Sequence, residues 1–321
     1  SSFVFSQEPE VKKERWENGK KRLEEHYKDG KLDGLLTYYY ENGVKMIEVY
    51  YKDGEKNGLK AHWYPNGKTW YKRYYKFGKK DGPWTEWYFN EQMKLKGYFK
   101  NGKKDGIFNS WYKNGKTWYE RYYKLGKKDG PWTEWYYNEQ MKFKGYFKNG
   151  KKDGIFNSWY ENGKKRLEEH YKDGNKDGLF TSWYENGNKN LKEHYKGGNK
   201  DGVSISWHEN GNKSLKEHFK DGNKDGVSTS WYKNGNKWYQ RHYKNGKKNG
   251  LDTEWYENGN KWYELIFKDG EKNGLDTEWY LNGAKRIEEH YKNGVKDGRW
   301  TRWSKDGEKI DEKHFKGGSG K

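Results

Sequence analysis

Polar and apolar positions alternate along this chain, and a slower rhythm is laid over them: from Gly30 to Gly318 a glycine stands at every 24th position. Within one unit, Asn175–Gly198, two segments have strand character. Leu179–Tyr184 is an aromatic and β-branched run. Asn188–Tyr195 alternates apolar with polar, the period of a half-buried strand. Turn signals bound both segments, Lys176-Asp177-Gly178 before the first and Glu185-Asn186-Gly187 between them. Asn, Asp and Gly accept the positive φ that tight turns require. Each unit therefore reads as one β-hairpin. A fixed period means that a unit buries its apolar face against its neighbours rather than alone.

The Asn-Gly turn sets the register. A two-residue loop would pair Trp183 with the third residue after Gly187, a phase of mixed character (Met46, Trp70, Lys94, Arg166, Asn190 and Ser214). A three-residue loop with Gly in the αL conformation puts Trp on the face of the fourth residue, which is Ile47, Tyr71, Leu95, Tyr119, Phe143, Leu167, Leu191, Leu215, Tyr239, Tyr263 or Ile287. That phase is apolar, so the three-residue loop is expected, with Leu179, Thr181 and Tyr195 on the same side. The shared face would carry a structural ladder of Trp63, Trp87, Trp111, Trp135, Trp159, Trp183, Trp207, Trp231, Trp255, Trp279 and Trp303, its gaps filled by the Leu, Ile and Tyr side chains.

The predicted fold is all-β, a solenoid-like array of about twelve 24-residue β-hairpin repeats forming one long twisted antiparallel sheet. Residues 1–10 lack the pattern and read as an N-terminal extension. Its Phe3, Val4 and Phe5 would either cap the first hairpin or add a strand to a neighbouring molecule. Residues 11–318 read as a single repeat domain, and 319–321 as a flexible tail. Two units replace the Asn-Gly turn, at Asn90-Glu91 and Asn138-Glu139, and open on Pro83 and Pro131. The same two carry Gly97 and Gly145 where other units have Glu or Arg, a sign of close backbone approach.

Composition changes how burial must work. Only 30% of residues are hydrophobic and 36% are charged, yet 19% are aromatic. Large rings in a periodic arrangement, not an aliphatic core, must supply the buried surface. The net charge of +19 favours anionic partners, or equally a lysine-rich surface that keeps an aromatic array soluble. Lys76, Lys100, Lys124, Lys148, Lys172, Lys196, Lys220 and Lys244, continuing at Lys268, Lys292 and Lys316, form a basic stripe beside ring positions and are the candidate binding residues. Cysteine is absent, which excludes disulfides and thiolate chemistry, and no stretch has the length of a membrane span.

Catalytic constellations are not found. His26, His170, His194, His218, His242, His290 and His314 share one phase, expected on the face opposite Trp, but a spacing of about 9.6 Å is too wide for one metal ion. Glu168-Glu169, Glu288-Glu289 and the Glu-Trp pairs recur in several copies, as surface salt-bridging groups do. No cofactor or metal is implied.

The spacing Tyr-x-Asn-Gly … Tyr-Lys-x-Gly-Lys-x-Asp-Gly-x-Trp-x-x-Trp-Tyr-x-Asn-Gly, seen at Trp159-Tyr160-Glu161-Asn162-Gly163 and its copies, resembles the MORN-type repeat in the bacterial variant of YwqK-family antitoxins. The resemblance runs from Trp16 to about Gly318. It implies extended hairpin sheets used as scaffolds, in protein–protein contact and at membranes. The expectation is a non-enzymatic structural or interaction scaffold at or outside the bacterial envelope, with a protein partner, self-association through sheet edges, or an anionic surface or glycan. Filament assembly, polyanion binding and antitoxin-like sequestration are the alternatives.

Overall fold

The structure is a computed structural model and describes residues 9–320. The extension read as a cap or donated strand, with Phe3–Phe5, lies outside the described residues. All-β is what the structure shows: 32 strands and no helix among the described residues, pairing antiparallel with their sequence neighbours as hairpin repeats. Ser319–Gly320, expected in a flexible tail, pairs with Lys316 and Phe315 as a short strand. Among the described residues two compact units are distinguished, one running to residue 154 with 161–163, the other made of 155–160 and the residues from 164 onward.

One hairpin of the second unit, Asn175–Trp183 with Lys189–Lys196, shows how sequence becomes geometry. The three-residue loop forms as expected: the Gly187 amide donates to the Tyr184 carbonyl at 2.9 Å, and Gly187 takes φ 96°. Asn186 Oδ1 accepts from the Asn188 amide, so the Asn side chain closes its own turn. The other connection is a two-residue loop, Asp173-Gly174, with positive φ at both residues (51° and 91°), flanked by the pair Lys172 and Asn175. That is the type I′ geometry that suits twisted strands. Lys176-Asp177-Gly178, read above as a turn, lies inside a strand. Glu169 pairs with Phe180 and Tyr171 with Lys176, so Asp177, Gly178 and Leu179 together face only His170. Glycine is required there by its φ of 108°, which L side chains rarely adopt, and a Cβ would also crowd the His170 Cβ at 3.2 Å.

A second bulge overturns the expected face assignment. Ser182 pairs with Leu191 but Trp183 with Lys189, which leaves Asn190 as an extra residue. One extra residue exchanges the faces beyond it. Phe180, Ser182, Leu191, Glu193 and Tyr195 therefore share one face, and Leu179, Thr181, Lys192 and His194 the other. Trp183 alternates with Ser182 and lies on the second face, under the ammonium of Lys165 at 5.3 Å. So the Leu, Ile and Tyr phase does not fill the gaps of the Trp row, Tyr195 is not on its side, and the His phase is. The same shift recurs from Tyr38/Tyr39 to Arg302/Trp303.

Within each unit, side chains stitch one hairpin to the next. The Tyr184 hydroxyl donates to the Trp207 carbonyl at 2.8 Å, and Tyr40, Tyr64, Tyr88, Tyr112, Tyr160, Tyr232, Tyr256 and Tyr280 do the same, each to the Trp carbonyl 23 residues on. Trp16 substitutes an indole N–H and His208 a ring nitrogen at the same place. Asn186 Nδ2 reaches the Glu209 carbonyl, and Asn18, Asn42, Asn90 and Asn138 act likewise. At the two-residue loops, the Gly198 amide donates to the Lys176 carbonyl. Both ends of the hairpins are thereby fixed, which is why Tyr and Asn keep their phase while strand residues vary.

Candidate functional site

Each unit presents two faces of different character. On the packed face, side chains 11 residues apart in sequence lie side by side along a central row. In the first unit the row is aromatic and basic. Arg73 lies 4.0 Å from the Trp84 ring and bonds Glu86 at 2.7 Å, and Trp84 Nε1 also donates to Glu86. Arg121, Trp132 and Glu134 repeat the arrangement. Between them Gly97 leaves room for Phe108, which is 1% exposed and packs with Trp84, Phe99 and Tyr119. The glycine is explained by that ring and not by an approach of backbones.

In the second unit the row turns acidic. Glu169, Glu193, Glu217, Asp252 and Asp276 are all buried. Each is answered by a lysine of one further row: Lys176, Lys200, Lys224, Lys248 and Lys272 respectively, with Lys200 2.5 Å from Glu193 and Lys248 2.6 Å from Asp252. Burial pushes the Glu193 carboxyl up, but hydrogen bonds from Lys200 and Tyr195 outweigh it and hold the group below the ordinary carboxylate range. At Asp276 burial wins over Lys272 and the carboxyl is pushed up. Burial and the Glu193 acceptor push the Tyr195 phenol up. In the first unit the equivalent Lys104 and Lys128 face rings and arginines rather than acids, so burial first and Arg121 second lower them. Most charged groups of this row are paired within it, while Arg73 Nε, Arg121 Nε and Asp276 Oδ1 are buried without a hydrogen-bond partner among the described residues.

The other face is open. Leu35 stands opposite Tyr50, Leu59 opposite Tyr74, Pro83 opposite Tyr98, and Ile107 opposite Tyr122. In the second unit Leu179 stands opposite His194, Val203 opposite His218, and Leu251 opposite Ile266. Tyr50, Tyr98, Ile107 and Ile266 are each more than 40% exposed. The eleven ladder tryptophans Trp63 to Trp303 are all half-buried. A lysine, not an aliphatic side chain, bridges successive rings, as Lys189 over Trp207 and Lys237 over Trp255. The histidines hold structure here: His218 Nδ1 contacts the Val227 carbonyl at 2.8 Å and His242 Nδ1 that of Leu251 at 2.6 Å.

The candidate lysines Lys76, Lys100, Lys124, Lys148, Lys172, Lys196, Lys220 and Lys244 occupy the last strand position before each two-residue loop, all exposed. They form one lysine edge per unit, thickened by partners such as Lys79 opposite Lys76 and Lys127 opposite Lys124. The lysines that lie over rings are a different set, Lys80, Lys104, Lys128, Lys176, Lys200 and Lys248. Sequence reasoning missed them. Their signal was co-occurrence at an offset of 11: Arg with Trp, Gly with Phe, and Glu with Ser, as at Glu193 and Ser204.

A regular hairpin array with turns fixed by Asn-Gly and by Tyr hydroxyls defines a class of repeat scaffold. The profile of the MORN repeat variant matches residues 32–53, 80–101, 104–125, 128–149, 152–173, 176–196, 200–221, 224–245 and 248–269. The chain belongs to that repeat family. No curated protein matches it in sequence. Among solved structures, the crystal structure of TcdB2-TccC3-Cdc42 aligns over 96% of this chain and 22% of its own, at 9% identity and TM-score 0.17. That of TcdB2-TccC3 without the hypervariable C-terminal region aligns over 95% and 22%, with the same identity and TM-score. The chain thus spans under a quarter of either. No helix among the described residues is long and apolar enough to cross a membrane.

Proposed function

We propose that the chain is a non-enzymatic interaction scaffold that engages protein partners with its open face. The observation that supports this reading is the contrast between faces. One face buries its row of charged side chains in ion pairs and ring contacts. The other leaves, in each unit, large apolar side chains such as Tyr50, Ile107 and Ile266 in solvent, and exposed apolar surface of this kind marks interaction sites. Aromatic anchors of this kind dominate binding energy in protein interfaces. The test compares the native chain with Tyr50→Ser/Ile107→Ser/Ile266→Ser as immobilised bait in an extract of its own source cells. The reading expects partners kept by the native chain and lost by the variant, with unchanged circular dichroism. Equal retention contradicts it.

The lysine edge favours a second reading, polyanion binding. Lys76, Lys100 and Lys124 make no ion pair among the described residues, and the net charge is +19. Affinity for a nucleic acid or sulfated glycan would then fall steeply with salt. Binding that stays flat between low and high salt removes this reading.

A further inference from the structure

The two-residue loops carry Asp, Asn or Gly at their first position, with two exceptions. Phe77 and Leu125 hold φ 47° and 48° there, and their side chains are 64% and 56% exposed. A bulky residue costs about 1–2 kcal/mol in that conformation, where Asn or Gly is tolerated. Both tips therefore combine backbone strain with an apolar side chain in water. Strain of this kind is a pointer to function when the neighbourhood supplies a site.

The neighbourhood does. A groove of about 720 Å³ is lined by Phe77, Tyr98, Asn101, the three lysines Lys76, Lys79 and Lys100, and the two acids Asp81 and Glu55. Asp81 is already engaged by the Asn101 amide at 3.1 Å, while the three lysines make no ion pair among the described residues. The sequence repeats this set 48 residues on, as Leu125, Tyr146, Lys124, Lys127, Lys148 and Asp129. There the Leu125 amide is bonded by Asp105 at 3.0 Å, and Lys103 takes the place of Glu55. The first copy is an apolar anchor point flanked by three lysines against two acids, and the second, with Lys103 for Glu55, has one acid fewer and one lysine more. Four strand spacings of about 4.8 Å separate the tips by roughly 19 Å.

Resting on the scaffold reading above, we propose that the Phe77 and Leu125 tips are paired docking points for one extended acidic segment of a partner protein. The segment carries two apolar anchors. At about 3.4 Å per residue, roughly six residues cover the gap between tips, and side chains that far apart share a face of an extended chain. The acidic character follows from the six lysines, and the two-anchor spacing from the two-repeat separation.

The experiment uses the full chain and a fluorescein-labelled Glu-rich peptide with two Leu residues six apart. A second peptide has Ser for both Leu, and anionic phosphatidylserine vesicles are the third probe. Anisotropy is expected to show the Leu peptide binding at least tenfold tighter than the Ser peptide. Phe77→Asn/Leu125→Asn is expected to abolish that difference, and each single variant to remove part of it. Asn suits the turn, so loss of binding would not reflect unfolding. Equal binding of the two peptides, survival of the difference in the double variant, or binding to vesicles alone would overturn the proposal. The open-face variant Tyr50→Ser/Ile107→Ser/Ile266→Ser leaves both tips intact, so its outcome judges the scaffold reading separately.

Discussion

Gly97→Ala is the smallest change that probes how the packed face is built. A Cβ at this position would lie 2.4 Å from Cδ1 and Cε1 of Phe108 and 2.7 Å from Cζ. The ring has nowhere to go. Phe99 meets it edge-on at 5.4 Å, Tyr123 at 5.3 Å, and the Lys104 ammonium lies 4.8 Å above it. Overpacking of a filled site costs about 1–3 kcal/mol. In a repeat array, global unfolding need not be two-state, so the effect is best read locally. Amide hydrogen exchange along Met93–Lys100 and Gly106–Trp111 reports opening of just these strands. Exchange there should quicken by roughly 5- to 150-fold, since each 1.4 kcal/mol is tenfold. Strands several repeats away should be unaffected. Gly97→Glu should cost more, and Phe108→Ser should rescue part of it by recreating the Glu193–Ser204 pair, bonded at 3.2 Å in the native chain. Contacting sites couple by about 0.5–3 kcal/mol. Unchanged exchange in Gly97→Ala, or strict additivity in the double variant, would refute the side-by-side placement.

Tyr184→Phe removes the donor to the Trp207 carbonyl and should cost about 0.5–1.5 kcal/mol, seen as faster exchange in the adjoining turn. Phe77→Asn relieves the strained loop and should slow local exchange by an amount equivalent to about 1 kcal/mol. Glu193→Gln should lose about 1.5–3 kcal/mol at neutral pH by leaving Lys200 unanswered. Glu193 is lowered in the fold, so its stabilisation is present above its unfolded value and is lost as pH falls through the folded one. The difference between native and Gln chains should therefore vanish on acidification. Asp276 is raised instead, so its penalty is present at neutral pH and lifts as pH falls through the raised value. Asp276→Asn should accordingly change neutral-pH stability by less than about 1 kcal/mol, and a large loss would show that Lys272 outweighs burial.

What was legible in the sequence is what local chemistry decides. The period, the hairpins and the three-residue Asn-Gly loop each depend on a few adjacent residues, and all three are present. The bulges were not legible. The extra residue of each hairpin is Met46, Trp70, Lys94, Arg166 or Asn190 by turns, so no side-chain type marks it. Its effect is on parity alone, which is why a correct loop still gave the wrong partner for Trp183. Asp-Gly is ambiguous for a related reason: Asp177-Gly178 and Asp173-Gly174 carry the same letters, yet one is a bulge and the other a turn. The candidate lysines were found at an exposed edge, whereas those over the rings needed the face assignment that the bulge controls.

The assignment of faces is the claim on which the rest depends, and two tyrosines of one strand test it. In Thr69–Lys76, Tyr71 is 7% exposed on the packed face and Tyr74 is 38% exposed on the open one. Hydroxyl-radical footprinting with peptide mass spectrometry reads the two rings side by side in the native chain. The account predicts that Tyr74 is modified several-fold faster than Tyr71. Faster modification of Tyr71 would mean the faces are exchanged, and would contradict it.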